Sequence, residues 1–107
     1  MPPSGEFSRE AESEKEMFVV HCKDRPDAGT LRQDTRAAHL DYLQGHLSRI
    51  AMAGPVTAAD GQTMIGSVLV LDFADRAGLD AFLAGDPYAK AGLFAEVTVL
   101  PFRKVLP

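Results

Sequence analysis

Two side chains of this sequence are suited to acid–base chemistry, His39 and Asp86. Histidine exchanges a proton near neutral pH, and a carboxylate that accepts from one ring nitrogen fixes the tautomer of the ring. Asp86 stands in Gly85-Asp86-Pro87-Tyr88, where Asp at an N-cap followed by Pro is also a common way to begin a helix. The two roles are compatible, because a capping carboxylate can also accept from an imidazole.

The position of His39 on its helix predicts where its ring points. On a helical wheel with Leu31 at 0°, one apolar cluster lies close to 0° and a second begins with Leu43 at about 120°. His39 lies between them at about 80°, so it is expected to face the sheet. Arg32 and Arg36 flank it at about 100° and about 140°. A packed core histidine with one satisfied ring nitrogen would fit the same pattern.

The other candidates carry weaker signals. Ser67 lies in a buried strand, so its hydroxyl needs a partner, and a backbone carbonyl would suffice. Tyr88 either covers a pocket or packs in the core. His21 is expected on a strand ladder or an interface, and Cys22 is expected to be a small core residue. The sequence has no glycine-rich phosphate loop, Cys/His metal spacing or nucleophile elbow, so neither a metal nor a cofactor is predicted.

Length and composition restrict the class of protein. The chain has 107 residues, of which 46% are hydrophobic and 24% charged, values typical of one globular domain. No apolar run approaches the roughly 20 residues of a membrane span, and the start lacks a secretory signal. With a single cysteine, the expected location is the cytoplasm. The bases are scattered, so nucleic-acid binding is not expected.

Residues 1–16 differ from the rest of the chain. They hold five acids and two bases, whereas residues 17–107 hold ten acids and nine bases and are almost neutral. Such a polar, Glu-rich stretch cannot bury enough surface to offset the entropy of ordering. We therefore expect residues 1–16 to be a polar N-terminal extension that is dispensable for folding, and residues 17–107 to form the domain.

The remaining pattern predicts the element order β-α-β-β-α-β. The predicted strands and helices are Met17–Lys23, Leu31–Gln44, Arg49–Val56, Met64–Phe73, Arg76–Ala84 and Phe94–Val105. Thr30 and Asp75 are the expected N-caps of the two helices, and Pro101 indicates an edge strand or a bulge. Asp86–Gly92 is a short turn or helix. This order is typical of the ferredoxin-like α+β fold, with one four-stranded antiparallel sheet and both helices on one face.

The strands also indicate a partner. In Met64–Phe73 only Gly66, Ser67 and Asp72 interrupt the apolar residues, and strands that are apolar on both sides have both faces covered. The helices cover one face, and one chain has no third layer for the other. We therefore predict a homodimer in which two sheets pack face to face.

These segments resemble a known family. The matching stretches are Phe18–Lys23 with Asp24-Arg25-Pro26, Thr35–Leu43, Ala53-Gly54-Pro55, Asp60-Gly61, Met64–Ser67 and Asp86–Phe94. Residues 17–107 resemble the YciI-like, or YCII-related, domain family of small dimeric α+β barrels. The resemblance implies a His–Asp active site at His39 and Asp86. It also implies dehydrochlorinase-type chemistry, since at least one relative acts on a chlorinated hydroxyquinol.

Two hypotheses about function follow. In the first, the protein is a cofactor-independent enzyme in which His39 is the acid or base and Asp86 orients it, in an elimination or isomerisation. Its substrate would be a small polar or anionic organic molecule, with Arg36, Ser67 and Tyr88 as the binding residues. In the second, the protein is a non-catalytic homodimer that binds a small ligand or a partner protein. An open pocket reached by a nitrogen of His39 would favour the first.

Overall fold

The computed structural model describes residues 16–107, so the predicted extension of residues 1–16 lies almost wholly outside the described residues. The elements are β1 (Glu16–Asp24), α1 (Leu31–Gln44), a 3₁₀ turn (Leu47–Arg49), β2 (Ile50–Thr57), β3 (Met64–Phe73), α2 (Arg76–Gly85), α3 (Pro87–Lys90) and β4 (Phe94–Phe102). No helix in this part of the chain is long and apolar enough to cross a membrane.

The four strands form one antiparallel sheet in the order β2-β3-β1-β4. This is the predicted ferredoxin-like α+β arrangement, with α3 as a third, short helix. β4 is an edge strand, which explains why it tolerates Pro101. The irregularity in its pairing with β1 lies between Lys23 and Asp24 rather than at Pro101.

Several predicted boundaries differ from the structure, most of them by one residue and the end of β4 by three, and one predicted cap differs as well. β2 begins at Ile50, because Arg49 belongs to the 3₁₀ turn, and β4 ends at Phe102 instead of Val105. β4 stops there because its neighbour β1 pairs with it no further than Met17. Thr30 holds the N-cap position of α1 without a side-chain capping bond, since its hydroxyl donates to the Asp34 carboxylate at 3.0 Å instead.

The core lies between the helices and one face of the sheet. Alternate side chains of β1 and β3 pack against α1 and α2, and the buried cluster comprises Phe18, Val20, Cys22, Leu43, Leu69, Leu71, Leu79 and Phe82. The other face carries no helix and is also apolar. Met52 is 63% exposed there and Leu100 is 54% exposed. The sheet therefore has one packed apolar face and one open apolar face.

At Gly66 the central strand β3 lies close to the backbone of its neighbour β1. A Cβ atom at this position would lie 2.5 Å from the carbonyl oxygen of Cys22, a distance that side chains essentially never reach. The absence of a side chain therefore lets β3 approach β1 here. The next residue, Ser67, is buried and faces the helices.

Candidate active site

His39 and Asp86 form a direct buried pair. Asp86 is both the C-cap of α2 and the N-cap of α3, and its Oδ1 accepts from the backbone N–H of Tyr88 at 2.9 Å. The same oxygen lies 2.8 Å from His39 Nδ1. The predicted contact is therefore present. An ionised carboxylate only accepts hydrogen bonds, so Nδ1 donates the shared hydrogen, and in the neutral form of the ring the lone pair is then on Nε2.

Tyr88 fixes the plane of the His39 ring. The two rings stack with centroids 3.9 Å apart and planes inclined by 15°. Tyr88 is itself only 2% exposed and meets Phe94 edge to face, with centroids 6.0 Å apart. The Asp86 carboxylate thus holds one edge of the imidazole and the Tyr88 ring packs on one face. Together they fix the orientation of the other ring nitrogen, Nε2.

A second buried pair stands beside the first. Arg32 donates to both carboxylate oxygens of Asp24, with Nε–Oδ2 and Nη2–Oδ1 distances of 2.7 Å. Arg32 Nη2 also donates to Ser67 Oγ at 3.0 Å, and its guanidinium lies 4.8 Å from the centre of the Tyr88 ring. Burial opposes the charged form of Arg32, but the bonds to Asp24 outweigh it and the pKa of Arg32 is raised.

Arg32 and Asp24 were not among the site residues predicted from the sequence. The predicted first strand ended at Lys23, one residue before Asp24, and Arg32 was placed only as a neighbour of His39. One signal for Arg32 was available: on the wheel it lies only about 20° from His39, on the side that faces the sheet. An arginine in such a position is almost never buried unless it is paired.

A cavity of about 230 Å³, here called the His39 cavity, opens between α1, β2 and β3. Its polar wall is made by Arg32, Arg36, His39, Ser67 and Tyr88, and the rest of its lining is apolar. The structure thus brings four of the five predicted site residues to one cavity. The fifth, Asp86, does not line this cavity and contacts His39 at Nδ1.

The two arginines on the wall of the His39 cavity differ in whether a carboxylate neutralises their charge. Asp24 neutralises Arg32, whereas no ion pair among the described residues includes Arg36, which is exposed at the rim. Burial raises the pKa of the Tyr88 phenol, although Arg32 and Arg36 act to lower it. The phenol is therefore protonated at neutral pH and can donate. A ligand with a negative or electron-rich oxygen suits this wall.

The remaining candidates lie outside this cavity. His21 is exposed on the open face of the sheet, and the ring nitrogen Nδ1 of His46 lies 2.7 Å from the carbonyl oxygen of Tyr42. Burial raises the pKa of the Cys22 thiol to about 12, so this thiol is no nucleophile at neutral pH. Within residues 16–107, no group of three or more His, Cys, Asp and Glu side chains is placed to hold a metal ion.

Known proteins match this chain in sequence over most of its length. Protein YciI of Escherichia coli is 32% identical over 96 residues, which cover 83% of this chain and 98% of that protein. An uncharacterized protein of Haemophilus influenzae is 32% identical over 95 residues, 82% of this chain and 97% of its own. The match thus extends over nearly the full length of both relatives.

Solved structures show the same arrangement of elements. The 5-chloro-2-hydroxyhydroquinone dehydrochlorinase of Burkholderia phenoliruptrix, in complex with 2,5-dihydroxybenzoquinone, superposes with a TM-score of 0.77 at 35% identity, over 81% of this chain and 93% of that one. Rv0793 of Mycobacterium tuberculosis has a TM-score of 0.51 at 17% identity, over 87% of this chain and 97% of its own, a likeness of fold alone. The YCII-related domain model matches residues 17–103, and the chain belongs to that family.

Proposed function

We propose that the protein is a cofactor-independent enzyme that uses His39 and Asp86 for acid–base chemistry on a small polar organic substrate. The observation that carries this proposal is the direct 2.8 Å contact of Asp86 with His39 beside a cavity that His39 helps to line. A general base needs a free lone pair, a fixed orientation and access to substrate. The dehydrochlorinase activity named for the 35% identical structure supports an elimination as the reaction.

The proposed step is a proton transfer to His39 Nε2. A substrate proton made acidic by a neighbouring carbonyl or hydroxyl group passes to this nitrogen. The electron pair left behind forms a new double bond and expels a leaving group such as chloride, or re-forms the double bond elsewhere in an isomerisation. The carboxylate of Asp86 stabilises the imidazolium that results. After an elimination the proton passes to water, whereas in an isomerisation it returns to the substrate at a different atom.

Substrate binding is assigned to the polar wall of the His39 cavity. Arg36 supplies a positive charge that no described carboxylate neutralises, and the Tyr88 phenol supplies a hydrogen-bond donor. Ser67 already accepts from Arg32, so its hydroxyl hydrogen is available to a ligand. Together these groups favour a small hydroxylated or anionic ring over a neutral hydrocarbon.

The proposed assembly is a homodimer that packs two open sheet faces together. Met52 and Leu100 expose 63% and 54% of their surface on this face, where a monomer would leave them in water. Sedimentation at micromolar concentration should give the mass of two chains. A species with the mass of one chain would contradict the proposed assembly.

A second candidate function is a binding module without catalysis. It is favoured by the low exposure of the His39 side chain, 9%, and by its hydrogen bond, which together suit a structural histidine. In this case the His39 cavity would still bind small anions. Turnover separates the two candidates, since a binding module consumes no substrate.

The test is a screen of hydroxylated and chlorinated phenols and aromatic acids, with chloride release and ultraviolet absorbance as readouts. The enzyme hypothesis expects turnover by the wild type and its loss in His39→Ala. His46→Asn is the matched control, because His46 also makes one hydrogen bond through Nδ1 but does not line the cavity. Binding of these compounds with no turnover of any of them would favour the binding module.

A further inference from the structure

Two hydroxyl groups on the wall of the His39 cavity carry a hydrogen that no described protein atom accepts. Ser67 Oγ accepts from Arg32 Nη2 at 3.0 Å and makes no other hydrogen bond among the described residues. The Tyr88 hydroxyl makes none there. Within residues 16–107, every side-chain oxygen sealed from solvent has a partner, so the Tyr88 hydroxyl is open to the cavity that this side chain lines. Each hydroxyl therefore has one donor hydrogen available to a ligand.

Arg32 acts on both hydroxyl-bearing side chains. It donates to Ser67 Oγ, and its guanidinium lies 4.8 Å from the centre of the Tyr88 ring. A cation that bonds to a hydroxyl oxygen draws electron density from it and makes its hydrogen a stronger donor. The two 2.7 Å bonds to Asp24 fix the guanidinium in this position. The Arg32–Asp24 pair therefore aligns the Ser67 hydroxyl and strengthens it as a donor.

The wall of the His39 cavity presents donors and positive charge to a ligand. No carboxylate among the described residues lines the cavity. Asp24 and Asp86 bond instead to Arg32 and His39, which stand between them and the cavity. A ligand oxygen that carries negative charge meets no like charge on this wall. The group that suits two adjacent hydroxyl donors is therefore an oxyanion.

We propose that the Ser67 and Tyr88 hydroxyls form an oxyanion-binding site for an enolate or phenolate oxygen, with Arg32 and Asp24 as positioning residues. This role deepens the proposed function and rests on it. When a substrate proton passes to His39 Nε2, the electron pair left behind spreads onto the adjoining oxygen. The two hydroxyls donate to that oxygen and keep their own hydrogens. Stabilisation of this charge lowers the barrier to the proton transfer.

The test is the binding of 4-nitrophenol to the full chain at one fixed pH at which the free probe is half ionised. The phenolate absorbs visible light and the phenol does not, so absorbance gives the ionised fraction of the bound probe. The wild type should bind the phenolate at least about tenfold more tightly than the phenol, the effect of one hydrogen bond to a charged group. Absence of this preference in the wild type would overturn the oxyanion site.

Ser67→Ala and Tyr88→Phe each remove one of the two hydroxyls. Each should weaken phenolate binding about tenfold and leave the affinity for 4-nitroanisole, the neutral methyl ether, unchanged. Tyr88→Phe retains the ring that stacks on His39, so it stays informative if Ser67→Ala is unstable. Tyr42→Phe is the matched control, because its hydroxyl donates to the Phe82 carbonyl and does not line the cavity. An unchanged phenolate preference in both hydroxyl variants would overturn the site.

Arg32→Lys tests the positioning role. Lysine keeps the positive charge but cannot bond to both oxygens of Asp24 and to Ser67 Oγ in the same planar geometry. The phenolate preference should fall about as far as in Ser67→Ala, and the double variant should lose no more than Arg32→Lys alone. A merely structural role would weaken the binding of 4-nitrophenolate and 4-nitroanisole equally, and that result would overturn the assignment to Arg32.

The charge of Arg36 is the competing explanation for a phenolate preference. Arg36 is exposed at the rim, so added salt should screen its contribution and Arg36→Gln should remove it. The contribution of the two hydroxyls should persist at high salt and in Arg36→Gln. Complete loss of the preference under either condition would overturn the oxyanion site.

These measurements need no turnover, so failure to find a substrate would count against the proposed function and leave the oxyanion site testable. Conversely, turnover that depends on His39, together with an undiminished phenolate preference in the hydroxyl variants, would overturn the oxyanion site alone.

Discussion

The two buried pairs of this fold, Arg32–Asp24 and His39–Asp86, have similar distances and different chemistry. In the first, two 2.7 Å bonds join a guanidinium that stays charged at every physiological pH to a carboxylate. In the second, one 2.8 Å contact holds a ring that can change its protonation state. Tyr88 links the two pairs, because its ring stacks on His39 and its centre lies 4.8 Å from the guanidinium of Arg32. The first pair is therefore suited to support the site and the second to carry the proton.

The largest effect, on turnover, is expected at His39, the member of the two pairs that can change its protonation state. His39→Asn keeps an N–H near the position of Nδ1, where it can bond to Asp86, but removes the basic nitrogen. We expect turnover to fall about 10²–10⁴-fold, the usual contribution of a positioned general base. The free energy of unfolding should change by only about 1 kcal/mol, because one hydrogen bond is exchanged for another.

Kinetics on a substrate found in the screen and urea denaturation give these two quantities. The assignment of chemistry to His39 is wrong if His39→Asn loses several kcal/mol of stability while its turnover stays at the wild-type rate. Such a result would assign His39 the supporting role.

The largest effect on stability is expected at the other pair. Asp24→Ala leaves the buried guanidinium of Arg32 without its carboxylate, which typically destabilises a protein by about 3–5 kcal/mol. Asp27→Ala is the matched control, because the Arg25–Asp27 pair is long, 4.0 Å, and largely exposed, and its loss should change stability by less than about 0.5 kcal/mol. Urea denaturation measures both variants. A loss below about 1 kcal/mol in Asp24→Ala would show that Arg32 finds water or another acceptor.

A smaller effect separates the two roles of Asp86. Asp86→Ala removes the N-cap of α3, worth about 0.5–2 kcal/mol, together with the partner of His39. Asp86→Asn retains most of the cap and removes the charge that supports the imidazolium. We expect Asn to recover most of the stability that Ala loses, while turnover remains low. Full recovery of turnover in Asp86→Asn would show that the Asp86 carboxylate acts only as a helix cap.

The effect that is smallest at neutral pH is a change of stability with pH, because it is seen only in alkali. Burial raises the pKa of Cys22 from 9.0 to about 12, so the unfolded chain releases the thiol proton before the folded chain does. This contribution to stability is complete below pH 9 and is lost as the pH rises from 9 to about 12. Thermal melts of the wild type and Cys22→Ala over this range should show a shallower decline in the variant. Parallel curves would mean that the thiol ionises as readily in the folded chain.

Local pattern accounts for most of the fold. The order of elements follows from apolar periodicity and from turn residues, and the buried core lies on the strand positions that alternation selects. His39 could be oriented from its place on the helical wheel, and Asp86 could be located from the Asp-Pro pair that begins α3. The start of β2 was misjudged because Arg49 belongs to the 3₁₀ turn before the strand. The end of β4 was misjudged because pairing with β1, rather than local propensity, decides where this strand stops.

The Arg32–Asp24 pair could not be predicted from local patterns in the sequence. Asp24 follows a register shift at the end of β1, and Arg32 lies on the first turn of α1, eight residues later. A turn rich in Pro, Asp and Gly does not by itself specify the path that brings the two together. A buried arginine is also improbable for its residue type. Only the packing of α1 on the sheet shows that the guanidinium is enclosed and must be paired.

The amino-acid sequence alone determined the element order, the inward position of His39 and the capping position of Asp86, because each depends on neighbours within one or two helical turns. The tertiary structure alone decided that His39 and Asp86, 47 residues apart in the sequence, lie 2.8 Å apart. It also decided that Tyr88 stacks on the imidazole and that Arg32, Ser67 and Tyr88 line the same cavity as His39. These features depend on how helices dock on a sheet. Docking is set by the packing of many side chains at once, which no short stretch of sequence specifies.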